Sequence, residues 1–217
     1  MEYKILNIEE LSDTRAQEID IESENKLMKE IISKIKRTMK KNKITSLSAP
    51  AIGYNKRIFC IDFSDSEIKT FINPLILQQN GIELVREVCS SLPGKEYIHP
   101  RNKLIDIIYQ RPDGIVKQNQ FSGMASTVIQ HELDHLNGIT IDMIGLEVEE
   151  DFDKASKKDK FEIIDIYLKS LKSQSEKLND DIKNDDVLRI VHDEDKAAEL
   201  IAQGKIEIEP KRGKRKK

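Results

Sequence analysis

Residues 130–138 read QHELDHLNG, from Gln130 to Gly138, and this stretch decides both the fold and the chemistry of the chain. On a helix, His131 and His135 stand one turn apart, so both imidazoles project from one face and can grip a single metal ion. Glu132 stands beside them, where a carboxylate can act as general base next to a metal-activated water. The apolar residues Val128, Ile129, Leu133 and Leu136 keep helical spacing, which predicts a helix over Gly123 to Leu136. Asn137-Gly138 is its stop signal.

Upstream, Leu27, Met28, Ile31, Ile32, Ile35 and Met39 recur every three or four positions, predicting one amphipathic helix over Ser23 to Asn42. Ile44 to Gly53, rich in serine and alanine and broken by Pro50, reads as an extended loop that feeds a strand over Arg57 to Phe63. Short runs of isoleucine, leucine and valine follow at Thr70 to Leu77, Ile82 to Cys89, Lys103 to Gln110 and Ile115 to Phe121. Gly81, Pro93-Gly94, Pro100 and Pro112-Asp113-Gly114 read as the turns between them. The layout is α+β, a mostly antiparallel set of strands against which the histidine-bearing helix packs.

Past residue 150 the chain becomes very polar. Phe161, Ile164, Leu168 and Leu171 keep helical spacing, a second short helical pattern runs from Asp195 to Gln203, and Asn179 to Asp186 reads as an exposed acidic linker. We therefore expect a catalytic domain over residues 1–150 and a partly helical extension over 151–217. The last eight residues, Pro210 to Lys217, carry six positive charges. They read as a solvated end, or more sharply as an electrostatic contact with RNA phosphates.

A net charge of -3 spread over mixed acidic and basic residues gives no reason elsewhere to expect a nucleic-acid partner, DNA included. No apolar run is long enough to span a bilayer or to serve as a secretory signal, so a soluble cytoplasmic protein is expected. Two cysteines, Cys60 and Cys89, are too few for a disulfide framework and suit a reducing compartment in which a thiolate can bind metal.

A catalytic metal site of this type needs a third protein ligand. The candidates are His99, His192, Cys60 and Cys89, and Cys89 in Glu87 to Ser91 is the best of them. Cys60, between Phe59 and Ile61, has the setting of a small buried hydrophobe. An HExxH pattern alone can be an ordinary polar helix face. The flanking Gln130, Asp134, Leu136 and Gly138 argue against that reading.

At this point the chain resembles the peptide deformylases. That family joins an upstream EGCLS to a downstream QHExDHLxG, matched here by EVCSS and by QHELDHLNG, the latter complete over nine positions. A third segment, SLSAPAIG from Ser46 to Gly53, is similar to the family's GLAAPQIG. The resemblance covers roughly residues 1–150. It implies a deformylase-like fold, with antiparallel sheets packed around a central HExxH helix and a helical C-terminal extension.

The resemblance also implies roles. Cys89, His131 and His135 would hold one divalent metal, with Fe2+ favoured and Zn2+ or Ni2+ also accepted by such a donor set. Glu132 would act as the acid and base, the backbone N–H of Ser90 would stabilise the oxyanion, and the substrate would be an N-formyl-methionyl peptide. Glu87 and Arg101 would pair to brace the cysteine segment. Ser46, Ala51, Val85, Met124 and Val128 are candidates for contact with substrate.

The chain departs from the family pattern on the substrate side. The family glutamine falls at Ala51, its glycines at Ile44, Ser46 and Val88, and its leucine at Ser90. Loss of an oxyanion donor at Ala51 predicts slower turnover unless Ser48 or Ser91 substitutes. Two other readings stand beside the active enzyme. One is a weakened deformylase-like protein acting as a binding or regulatory module. The other is a zinc endopeptidase, which the absence of HExxHxxGxxH disfavours.

Overall fold

The computed structural model describes residues 4–64, 67–181 and 206–208. In chain order the elements are α1 (Asn25–Asn42), β1 (Ser46–Ser48), a 3-10 turn (Pro50–Ile52), β2 (Ile58–Ile61), β3 (Lys69–Cys89), β4 (Leu92–Gln110) and β5 (Val116–Ser122). They are followed by α2 (Met124–Leu136), α3 (Ile141–Ile144), β6 (Leu146–Glu147), α4 (Glu150–Lys154), α5 (Lys157–Asp181) and β7 (Ile206–Ile208). The strands form one sheet in the order β1-β2-β3-β4-β5-β7, with β6 added to β4. Every pairing is antiparallel except that of β5 with β7.

Strand β2 lies in the middle of the architecture because both its faces are covered. Ile58 and Cys60 join a cluster with Met28, Ile31 and Ile35 of α1, whereas Phe59 and Ile61 join a cluster with Ile129, Leu133 and Leu136 of α2. Side chains alternate along a strand, so a fully buried strand sorts its residues between two helices on opposite faces. Phe71 links β2 to β4 on the α2 side, with its ring centroid 4.7 Å from Phe59 and 4.5 Å from Tyr109. The α1 periodicity expected from the sequence is the buried face of that helix.

Three readings of the strand region need correction. The expected separate sheets are one sheet. The short runs joined by turns at Gly81, Pro93-Gly94 and Pro100 are two long strands that pair along most of their length, and they reverse only at Ser90-Ser91. Cross-strand pairing on either side outweighs the local turn preference of these residues, and Pro93-Gly94 is bulged out between the paired Leu92 and Glu96. Register shifts after Ile72, Ile76 and Val88 absorb the irregularities. Pro100 sits beyond Ile98, where pairing with β6 ends, and before Leu104, where pairing with β5 begins, so β4 is locally an edge. Finally, Ile44 to Gly53 holds a short strand and a 3-10 turn rather than an extended loop alone.

After Lys154, α5 is held to the sheet through Tyr167, whose hydroxyl donates to the Ile144 carbonyl at 2.5 Å and lies 3.0 Å from His99 Nδ1. His99 belongs to β4, beside the expected turn residue Pro100. Burial pushes its pKa down to about 4. Phe161 is 74% exposed, so the helical spacing of the extension does not translate into a buried face there. The second helical pattern over Asp195 to Gln203, most of the Asn179 to Asp186 linker and the basic tail lie outside the described residues. Among those described, no helix is long and apolar enough to cross a membrane.

The C-terminal end of α2 is pinned from two directions. Arg57, buried in β2's approach, donates to the Leu136 carbonyl at 3.1 Å and to Asn137 Oδ1 at 3.0 Å. Gly138 has φ +74, and a Cβ there would lie 2.5 Å from the backbone of Asp13. Gly138→Ala is therefore expected to lower unfolding free energy by at least about 2 kcal/mol in chemical denaturation, since it combines a strained φ with a backbone clash.

Candidate metal centre

Alternation along β3 builds one wall of the site. Glu83, Val85, Glu87 and Cys89 face inward, whereas Leu84, Arg86 and Val88 are exposed, and Cys89 ends the strand at the hairpin tip. Helix α2 forms the opposite wall. Cys89 Sγ lies 3.3 Å from His135 Nε2, and the ligand atoms of Cys89, His131 and His135 all fall within 4.8 Å of one another.

This donor set fits a divalent cation. Metal–sulfur and metal–nitrogen bonds of about 2.3 and 2.1 Å at a tetrahedral angle put sulfur and nitrogen roughly 3.5 Å apart, close to the observed separation. His131 Nδ1 meets Glu87 Oε2 at 2.8 Å, which leaves Nε2 as its ligand atom. A carboxylate behind a ligating imidazole fixes the tautomer and the ring orientation.

The site's charges are balanced by one arginine. Arg101 Nε donates to Glu87 Oε1 at 2.6 Å, Nη2 to Glu87 Oε2 at 3.1 Å, and Nη1 to Asp134 Oδ2 at 2.5 Å. Burial would raise the Glu87 pKa, but bonds from His131 and Arg101 prevail and hold it down to about 2. The same competition decides His131. Burial favours loss of its proton, yet Cys89 and Glu87 outweigh burial and push the value up to about 10. His135 is driven the other way, down to about 3, by burial and by the neighbouring His131 charge.

Glu132 is 3% exposed, and burial raises its pKa against the opposing influence of His131 and of the Ser46 and Ser48 hydroxyls. Gln130 aligns the helix instead of touching the donors. Its Nε2 donates to the Asn102 carbonyl at 2.9 Å while its Oε1 accepts from Asn102 N at 3.0 Å, so it clamps α2 to β4.

Of the expected site residues, the structure brings together Cys89, His131, Glu132, His135 and Ser46. Ser90 adjoins Cys89 in the hairpin turn. Ala51 is 2% exposed within the α1-side core and offers only a methyl group. Val128 packs against the α2-side core. Val85 is half-buried on the inner face of β3, and Met124 is 78% exposed at the start of α2. Cys60 belongs to the sheet face covered by α1, where burial pushes its thiol up to about 11. It takes no part in the site. His192 lies outside the described residues.

The expected Glu87–Arg101 pair is present, but sequence reasoning missed its extension to Asp134 and the contact of Glu87 with His131. The available signal was the inward phase of Glu87 and Cys89, two residues apart on one strand. Arg101→Met would leave the buried Glu87 carboxylate and the half-buried Asp134 carboxylate without their cation, a change that typically costs about 3–5 kcal/mol for a buried pair. We expect it to weaken metal retention by about 10- to 100-fold in competition with a chelator, with unchanged retention the contrary result.

The family model described as polypeptide deformylase matches residues 3–146. The chain is 36% identical over 121 residues to the peptide deformylase of Dictyoglomus thermophilum, covering 56% of this chain and 78% of that one. It is 34% identical over 115 residues to the peptide deformylase of Thermotoga maritima, covering 52% and 70%. The crystal structure of a peptide deformylase from Thermotoga maritima superposes with a TM-score of 0.59 at 29% identity, covering 66% of this chain and 97% of that one. A Synechococcus elongatus peptide deformylase in complex with actinonin superposes with a TM-score of 0.59 at 26% identity, covering 65% and 78%. With this fold, this donor cluster and this extent of match, the chain belongs to the polypeptide deformylase family.

Proposed function

We propose that this protein removes the formyl group from N-formyl-methionyl peptides, with Cys89, His131 and His135 holding one divalent metal ion. The observation that carries this reading is the convergence of a thiol and two imidazoles within 4.8 Å, beside the buried carboxylate of Glu132. A bound divalent ion supplies a Lewis acid and lowers the pKa of water to about 7. Likeness to the family favours Fe2+ in this reading, and a thiolate with two imidazoles also accepts Zn2+ or Ni2+.

The protein's own groups account for the proton transfers. Glu132 accepts the proton of the attacking water and then delivers it to the departing nitrogen, so formate and a free amino terminus result. The backbone N–H of Ser90 donates to the developing oxyanion. Arg101 and Glu87 keep His131 oriented through both steps. Val85 on β3 and Val128 on α2 offer apolar surface on the two walls for a methionine side chain, with Met124 at the outer end of α2.

In this reading residues 1–150 form the catalytic domain and 151–217 an extension, a division supported by the end of the family match at residue 146. Cytoplasmic residence and contact of the basic tail with ribosomal RNA would place the protein where formylated chains emerge.

Formate release from formyl-Met-Ala-Ser by anaerobically iron-loaded protein tests the reading. Glu132→Ala should lower kcat by about 100- to 10,000-fold with metal content retained, and Cys89→Ala should lose the metal. Turnover that survives loss of Glu132 would overturn the mechanism. Ala51 supplies no side-chain donor, so Ala51→Gln should raise turnover at least about tenfold. An unchanged rate would show that Ala51 does not limit the enzyme.

A further inference from the structure

Two hydroxyl groups stand against the catalytic carboxylate, and the family pattern does not place them there. In the similar GLAAPQIG string, glycine and alanine fill the positions of Ser46 and Ser48. The same string has glutamine where this chain has Ala51, so one polar side chain has gone from the segment and two have appeared.

The register of β1 on β2 sets the direction of these serines. Leu47 pairs with Cys60 on the α1 side, whereas Ser46 pairs with Ile61 and Ser48 with Phe59, both on the α2 side. Ser46 and Ser48 therefore face α2, on the side that carries the Glu132 carboxylate. Ser48 is 0% exposed. Its Oγ and Glu132 Oε2 are both buried without a hydrogen-bond partner of proper geometry among the described residues. Buried polar atoms are normally paired, and the exceptions concentrate where a group has work to do. A serine hydroxyl rotates about its C–O bond, so it can donate to a carboxylate oxygen with little movement of heavy atoms.

We propose that Ser48, assisted by Ser46, is a positioning residue for Glu132: its hydroxyl holds the carboxylate in the orientation that receives and returns the proton, in a segment that has lost the family glutamine. The proposal rests on the deformylase reading above for its kinetic test but not for its spectroscopic one. It also gives Ser48 a different role from a direct oxyanion donor, because the hydroxyl works through Glu132.

The test uses full-length, iron-loaded protein with Ser48→Ala, Ser46→Ala, Glu132→Gln, and each serine variant combined with Glu132→Gln. Alanine is the family residue at position 48, so Ser48→Ala keeps a side chain that this segment accommodates. With formyl-Met-Ala-Ser, Ser48→Ala should lower kcat about tenfold with KM within about twofold and metal content unchanged, and Ser46→Ala should act in the same direction with a smaller effect. In the Glu132→Gln background, loss of either serine should change kcat by less than about twofold, the non-additivity expected of groups that act as one unit. An equal loss in both backgrounds, a change confined to KM, or a fall in metal content would overturn the proposal. The second measurement is an infrared difference spectrum of wild type against Glu132→Gln, which isolates the Glu132 carboxyl band. Ser48→Ala should shift that band, and an unshifted band would overturn the proposal even if wild type released no formate and the deformylase reading itself had failed.

Discussion

Helix α2 is buried on two sides, and one of those sides is made of glutamine, glutamate and histidine. An apolar helix face needs only a complementary surface, but buried polar groups need specific partners, and most of the architecture around α2 supplies them. Arg101 neutralises Glu87 and Asp134, Glu87 holds His131, and Gln130 exchanges hydrogen bonds with the backbone of Asn102. Removing any one partner leaves another group buried and uncompensated, which ties the site to the fold.

The long β3–β4 hairpin follows from that requirement. Its tip carries Cys89 to the face of α2 that bears His131 and His135, while its strands present Glu87 and Arg101 on the same inner surface, where their side chains meet. A shorter hairpin with turns at Gly81 or Pro100 would separate the thiol from its bracing ion pair. The opposite boundary is set by β2, whose Phe59 and Ile61 seat the apolar face of α2 and whose pairing with β1 turns Ser46 and Ser48 toward Glu132. Cys89, the α2 histidines with Glu132, and the two serines thus come from three elements packed into one sheet-and-helix unit, the kind of support that holds a site's geometry closely.

Several features were legible before folding was considered. HExxH spacing places two imidazoles and a carboxylate on neighbouring positions of any helix, and the apolar period of α1 gives its buried face directly. Cys89 could be preferred over Cys60 from context, and the structure supplies the reason: the two thiols lie in different parts of the sheet, Cys60 on the face covered by α1. The strands were harder to read. Glycine and proline at Gly81, Pro93-Gly94 and Pro100 are strong local turn signals, yet β3 and β4 run through them because the residues on either side pair across the hairpin, a gain that local chemistry cannot reveal.

Local spacing within one helix and one short string was enough to point to the family and to the candidate donors and carboxylate, because those features depend on side-chain identity and on the 3.6-residue period. The distance between Cys89 and His135, the reach of Arg101 to two carboxylates, and the turning of Ser48 toward Glu132 were decided by tertiary structure alone. Each joins residues from different elements. Their approach depends on strand register and on which face of β2 each helix covers, quantities that no local run of sequence contains.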